Sequence, residues 1–569
     1  MPKSPISPST VIDRNTLTAL LLITLVLILT PYYIDLVSPP PQQIDYDLVE
    51  RDPNTEIGAR NYVDTKTEKS TLVDFGFESQ LKLEEKTITV ESDLYIAKIS
   101  SSCGGSILSY KIKDHLTADS NYVNLITEDN ENNLLLGFKN LDGDDVFIKN
   151  GWVQNDLIDS LYLFDETYTL SYTNTHRGKN ITKTLTFYPD AFLVEIDTDL
   201  TSISNNVFAN TYSLGWVGGL PTTEKDTVGE ATFFGAYLYQ GDELLDIKVG
   251  QGENFSNDYR GQTDWVAARS KYFVVSLVDK SKNQIIGSSI SATFENRELY
   301  DLAIDLKTTK PTSVSLYLGP LEYERIKSLE IGLEKIMNFG WVIIRPIAKG
   351  ILWVLKSMHA FVPNYGVILI IFSIMVKLLV YPLTKKSYQS TQAMQAIQPE
   401  INTLREKHKN NPTKLNQATM ELYKKKGVNP LGACFPMLLQ MPLLISLFTV
   451  FRSTIELRGE PFVFWITDLS APDIIFYLPF KIPIYGDYVC ALPILMALSM
   501  YAQQKMMSVS GGPQQEQQKL MQYFMMAFFF LLFNSFPSGL NLYYTLFNVL
   551  TIAQQKITGT GPASQHPGT

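Results

Sequence analysis

Between Lys426 and Lys556 three stretches of 25, 17 and 36 residues carry no charged side chain, and a fourth, Asn364 to Thr384, carries one, Lys377. Apolar runs of about 20 residues match a hydrocarbon layer of roughly 30 Å at about 1.5 Å rise per residue. The last third of the chain therefore reads as a bundle of membrane-spanning helices, with spans expected at 364–384, 429–451, 488–504, 520–535 and 540–555. The last two share the 36-residue run, too long for one helix unless steeply tilted. The Phe536-Pro537-Ser538-Gly539 turn in its middle implies two short helices joined by a tight hairpin.

A further uncharged run, Asn15 to Ile34, follows Lys3 and Arg14. No small-residue cleavage site comes after it, so 15–36 reads as an uncleaved signal-anchor with residues 1–14 in the cytoplasm. Loop charge tests that topology. The segment 385–426 carries a net +6, Arg452 to Asp487 a net −2 and Lys505 to Lys519 a net +1. Positive segments stay inside, and this alternation fits six spans, with the N-terminus and the tail 557–569 both cytoplasmic.

Three regions outside the spans have their own patterns. Residues 37–327 show recurring alternating and β-branched runs bounded by Gly, Asn and Asp, the pattern of a large antiparallel β-sandwich on the exported side. Residues 328–361 turn helical. Arg345, Lys349 and Lys356 cluster on one side there, and Ile344, Ile347, Ile351, Leu352 and Leu355 give apolar surface. An amphipathic helix in the headgroup layer fits this, and a helix buried on the exported domain is the alternative. Within 385–426, Met394, Ile397, Ile401 and Leu404 and then Leu415, Thr419 and Leu422 form a seam broken at Asn410-Asn411-Pro412, as in a cytoplasmic helical hairpin.

Composition excludes several classes. A net charge of −10 with no basic stripe leaves no surface for tracking phosphates, so no nucleic-acid binding of its own is expected. Cys103, Cys434 and Cys490 are far apart, and His115, His176, His359, His408 and His566 form no metal motif. No glycine loop for phosphates appears, and neither a metal nor a cofactor is expected.

Lys377 remains. A lysine in mid-span costs roughly 2.5–3.5 kcal/mol, and the eight residues to Lys385 place it about 12 Å from that end, beyond the reach of full snorkelling. No acidic residue lies within the apolar stretch of an expected span. Asn541, Thr545, Asn548 and Gln555 share one helix face with Tyr544 and Thr551 beside it, Gln440 sits between Pro436 and Pro442, and Ser373 lies one turn before Lys377. Lys377, Ser373, Gln440, Asn541, Tyr544, Thr545 and Asn548 are therefore the candidate lining of a hydrophilic groove. Polar helix–helix contacts are the plainer account of the uncharged members. An intramembrane peptidase with Ser373 as nucleophile and Lys377 as base is a rival. A secondary transporter is another, although neither repeats nor intramembrane acids are present. A span of 16 residues at 520–535 reaches only about 24 Å and would thin the bilayer locally.

Several segments resemble the YidC/Oxa-type membrane protein insertases: Val376 to Ser390 (VKLLVYPLTKKSYQS), IQPEINTLREK, Lys426 to Phe448 (KGVNPLGACFPMLLQMPLLISLF), FWITDLSAPD, and Phe536 to Gln555 (FPSGLNLYYTLFNVLTIAQQ). The resemblance implies a five-helix core behind an N-terminal anchor, in the bacterial inner membrane, with the β-sandwich in the periplasm. It implies insertion and folding of nascent membrane proteins without covalent chemistry or ATP, alone or beside the Sec translocon, with membrane lipids around the core. The cytoplasmic loops become candidate ribosome contacts, while the short tail is not basic. Where relatives usually carry Arg in the groove this chain has Lys377, keeping the charge without a two-point fork, and Ser535 stands where many relatives have Trp.

Overall fold

The computed structural model describes residues 84–507 and 523–557, apart from 118, 128–131, 156–157, 251, 295–296, 410, 429–434, 483–484 and 525. The N-terminal segment 1–14, the signal-anchor 15–36, the beginning of the span 520–535 and the tail from 558 lie outside the described residues.

Residues 87–320 build the β-domain from sheets of nine, six and five strands. Pairing is antiparallel except where Thr89–Glu91 runs parallel to Ser160–Tyr162. Alternation sets the inward faces. In the strand Lys179–Phe187 the side chains of Ile181, Lys183, Leu185 and Phe187 point in, while Thr182 is exposed. Phe273–Val278 and Trp265–Arg269, in the middle of the nine-stranded sheet, are buried at every position and therefore covered on both faces. The chain leaving the domain supplies part of that cover. Trp265 donates its indole N–H to the Ile331 carbonyl at 2.9 Å, and Arg269 donates to the Ile336 carbonyl at 3.0 Å.

Among the described residues seven helices of ten residues or more with both ends described follow, α1 Ile344–His359, α2 Tyr365–Ala396, α3 Gln398–Lys407, α4 Pro412–Lys426, α5 Phe435–Ser453, α6 Ala491–Met507 and α7 Ser538–Ile557, and residues 526–533 are also helical. Among the described residues one helical stretch, Tyr365–Lys385, is both long and apolar enough to cross a membrane. Helix α6 has 17 residues and α5 has 19, and α7 is diluted by its polar stripe. Two differences from expectation stand out. Helix α2 passes Lys385 unbroken to Ala396, because Lys385–Ala396 contains neither Gly nor Pro. The break falls instead where Pro399 opens α3. Helix α1 places its Ile344, Ala348, Ile351, Leu352 and Leu355 face against α5 and α2.

Lys349 and Lys356 of α1 also turn inward. Lys349 donates to the Tyr323 hydroxyl at 2.7 Å, and Lys356 bridges Glu322 at 3.0 Å and Glu456 at 3.2 Å. A half-buried ammonium gains from two adjacent carboxylates, so Lys356 ties α1 to the segment that leaves the β-domain and to the segment after α5. Arg345 is exposed, as are Trp341 and Trp353. A second clasp lies nearby, where Arg458 pairs with Glu224 at 2.7 Å and donates to the Leu116 carbonyl at 2.9 Å. Where α3 and α4 pack together, Ile397 and Ile401 are buried and Lys426 pairs with Glu400 between the two helices.

Candidate functional site around Lys377

Lys377 lies on the inward side of α2. The neighbouring Leu378 and Leu379 are 69% and 77% exposed and form part of an outer stripe with Ile371, Ile374 and Met375, whereas Lys377 is 8% exposed. Its Nζ donates to Thr551 Oγ1 at 2.7 Å and sits 4.5 Å from the centre of the Phe547 ring, both on α7. Thr551 in turn donates its hydroxyl to the Phe547 carbonyl at 2.7 Å, which leaves its oxygen free to accept from the ammonium. No carboxylate among the described residues forms an ion pair with Lys377. The cation is held by one hydroxyl and one aromatic face.

The other candidates divide among neighbours. Ser373 is fully buried and donates to the Leu369 carbonyl of its own helix at 2.6 Å. Thr545 likewise bonds back to the Asn541 carbonyl at 2.8 Å. Asn541 reaches the Phe533 carbonyl at 3.1 Å and the Phe536 carbonyl at 3.4 Å, closing the turn before α7. Asn548 donates to Ser499 Oγ of α6 at 3.0 Å. Tyr544 faces Gln440 of α5. The face predicted to line one groove thus serves three helix contacts, and Lys377 meets none of these residues through a hydrogen bond. The ammonium is covered by Thr551 and the Phe547 ring.

Four participants escaped the sequence reading or stood at its edge. Thr551 was flagged only as a neighbour of the stripe, and Phe547 reads as core although it lies four residues before Thr551. Ser499 looks like any small residue in a span. Asn534 is fully buried and donates to the Tyr485 and Tyr488 carbonyls at 2.8 Å while accepting from the Cys490 N–H at 3.1 Å. A lone Asn within LLFNSFPSG was its only signal.

Residues 357–563 match the family model for the 60Kd inner membrane protein, and residues 87–354 match that for the YidC periplasmic domain. The chain is 36% identical over 557 residues to the membrane protein insertase YidC of Pelodictyon phaeoclathratiforme, covering 95% of this chain and 94% of that protein. It is 35% identical over 571 residues to the same-named protein of Chlorobium luteolum, covering 98% and 97%. The chain belongs to the YidC family of membrane protein insertases. Family membership assigns the chain to the inner membrane, and the β-domain of residues 87–320 is the family's periplasmic domain. A YidC insertase crystal structure with its first transmembrane domain resolved aligns over 84% of this chain and 93% of that one at 17% identity, with a TM-score of 0.34, too loose a superposition to build on.

Proposed function

We propose that the chain inserts and folds nascent membrane proteins by giving a polar segment of the substrate a transient partner at the α2–α7 seam. One observation carries the reading: among the described residues the buried mid-span cation Lys377 is neutralised by no carboxylate and is held by Thr551 and the Phe547 ring. An acidic segment of a substrate offers that ammonium a better partner than a neutral hydroxyl. The substrate's carboxylate displaces Thr551, Ser373, Gln440, Asn541, Tyr544, Thr545 and Asn548 supply polar surface as the helices part, and the apolar segment leaves laterally into lipid. The topology that goes with this has six spans, both termini in the cytoplasm, and the positively charged α3–α4 hairpin beside the emerging chain, where a ribosome docks. Insertion proceeds alone for short substrates and beside the Sec translocon for larger ones.

The test is insertion of a short single-span substrate with an acidic translocated tail. Lys377→Ala and Lys377→Glu are expected to slow it, in that order of severity, and a neutral tail is expected to remove the difference. Full activity in both variants would end the proposal. Depleting Sec in the same assay separates the two routes. The peptidase reading loses its nucleophile, because the Ser373 hydroxyl is spent on Leu369 and Lys377 points to Thr551 instead.

A further inference from the structure

The segment between α5 and α6 ends in a two-stranded ribbon, Ile474–Ile482 paired with Gly486–Cys490. The ribbon is pinned along its returning side. Asp473 accepts the Trp465 indole N–H at 2.9 Å and the Leu492 backbone N–H at 2.7 Å, capping α6, and Asn534 holds the carbonyls of Tyr485, in the turn, and Tyr488. The outgoing strand is bare. Ile475, Phe476, Tyr477 and Phe480 are 49%, 53%, 71% and 60% exposed, and Lys481 is the strand's single charged residue. Phe476 and Tyr477, paired in turn with Val489 and Tyr488, send exposed side chains out of opposite faces of the ribbon.

The loop leading into the ribbon is tied to the ends of two helices. Asn364, at the start of α2, donates to the Pro461 carbonyl at 3.2 Å, and the Ser538 N–H at the start of α7 donates to the Ala471 carbonyl at 2.8 Å. Phe464, Trp341, Trp353 and Phe361 are 89%, 80%, 66% and 88% exposed around the same end. The apolar surface then continues without a linker onto the outer side of α6 through Leu495 and Leu498.

We propose that the Ile474–Cys490 ribbon lies in the headgroup–acyl boundary of the leaflet on the β-domain side, as a membrane-lying brace that fixes the depth at which α6 begins. Three features select lipid. A docked protein covers one face of a ribbon, whereas lipid wets both, and here both are apolar. Exposed aromatic residues at the level of the helix ends match an interfacial belt. The strand edges of a two-stranded ribbon need hydration, which the boundary supplies and the hydrocarbon centre does not. This goes beyond the insertion reading and stands or falls separately from it.

Full-length protein in phospholipid vesicles, carrying Cys434→Ala and a nitroxide at either Tyr477→Cys or Phe480→Cys, tests the placement, because Cys103 and Cys490 are buried. The expected result is an oxygen-to-nickel-chelate collision ratio several-fold above that of a label at Asp145→Cys on the β-domain surface. A ratio equal to that at Asp145 means the ribbon faces water, and low collision with both means protein covers it. Either overturns the proposal. Unlabelled wild-type protein gives an independent reading with a phospholipid bearing a photoreactive carbene precursor near its glycerol. Adducts are expected within Ile474–Ile482, and adducts on α6 with none on the ribbon overturn it.

Discussion

Two buried lysines, one in each half of the molecule, solve the same problem differently. Lys183 is fully buried in the β-domain and donates to the Cys103 carbonyl at 3.0 Å and the Leu134 carbonyl at 2.6 Å. Both acceptors belong to residues in the left-handed region, Cys103 at φ 54° and Leu134 at φ 57°. That backbone conformation costs a side-chain-bearing residue roughly 1–2 kcal/mol, so Lys183 ties down two strained turns with bonds nothing else can replace. Lys377 is nearly as buried but rests on a hydroxyl and a ring, both of which belong to one helix. The first lysine is part of the fold. The second is held by contacts that a stronger ligand can displace.

Reversing the charge at Lys377 gives the largest expected effect and the sharpest break between the two sites. Lys377→Glu turns attraction for an acidic tail into repulsion. Since about 1.4 kcal/mol is tenfold in rate, insertion of the acidic-tail substrate is expected to fall by about tenfold or more. Lys183→Glu is not the matching experiment, because it would bury an unsolvated carboxylate. Lys183→Met is. It leaves the carbonyls of Cys103 and Leu134 without their partner, at about 1–3 kcal/mol each, partly offset because no amine has to be desolvated. The urea midpoint for proteolysis of the β-domain in the full chain should drop, while insertion per folded molecule stays unchanged. Equal loss of insertion per folded molecule in both variants would erase the comparison.

Titration separates the sites further. Burial lowers the Lys183 pKa to about 7. The unfolded chain keeps that proton up to about pH 10.4, so between about 7 and 10.4 the unfolded state binds more protons and β-domain stability climbs with pH. Below about 7 both states are protonated, and the full cost of the buried charge remains. The expected measurement is a proteolysis midpoint that rises from pH 7 toward pH 9.5, with this part of the rise absent in Lys183→Met.

Much of this was legible from residue order, for reasons that particular residues make clear. The helices were legible as long uncharged runs, and Lys377 stood out because a charge inside such a run has a cost. The β-rich domain followed from alternation, as in Ile181, Lys183, Leu185 and Phe187, yet that same alternation gave no sign that Lys183 would be pinned by Cys103 and Leu134, 80 and 49 residues away. Contacts set by tertiary closure have no local signature. The α1 cations show the limit from the other side. Their spacing correctly put Lys349 and Lys356 on one face, but which surface that face meets depends on Glu322 and Glu456, which come from two different segments. The Lys377 stripe fared likewise: Asn541, Asn548 and Tyr544 share a helix face and are assigned to three different neighbours.

The smallest expected effect is the one that tests whether Lys377 is held loosely. In Thr551→Val the ammonium loses its hydrogen bond but keeps the Phe547 ring. A hydrogen bond to a charged group contributes about 1.5–3 kcal/mol, so the folded helical core should become measurably less heat-stable. Insertion should move the other way. Thr551 is the ligand that a substrate carboxylate has to displace, and its removal leaves the cation more available, so the acidic-tail substrate is expected to insert about two- to threefold faster, equivalent to roughly 0.4–0.7 kcal/mol. A lysine that serves only to join α2 to α7, as Lys183 joins its two turns, would lose stability and insertion together. Opposite signs in the two measurements distinguish a displaceable contact from a structural one.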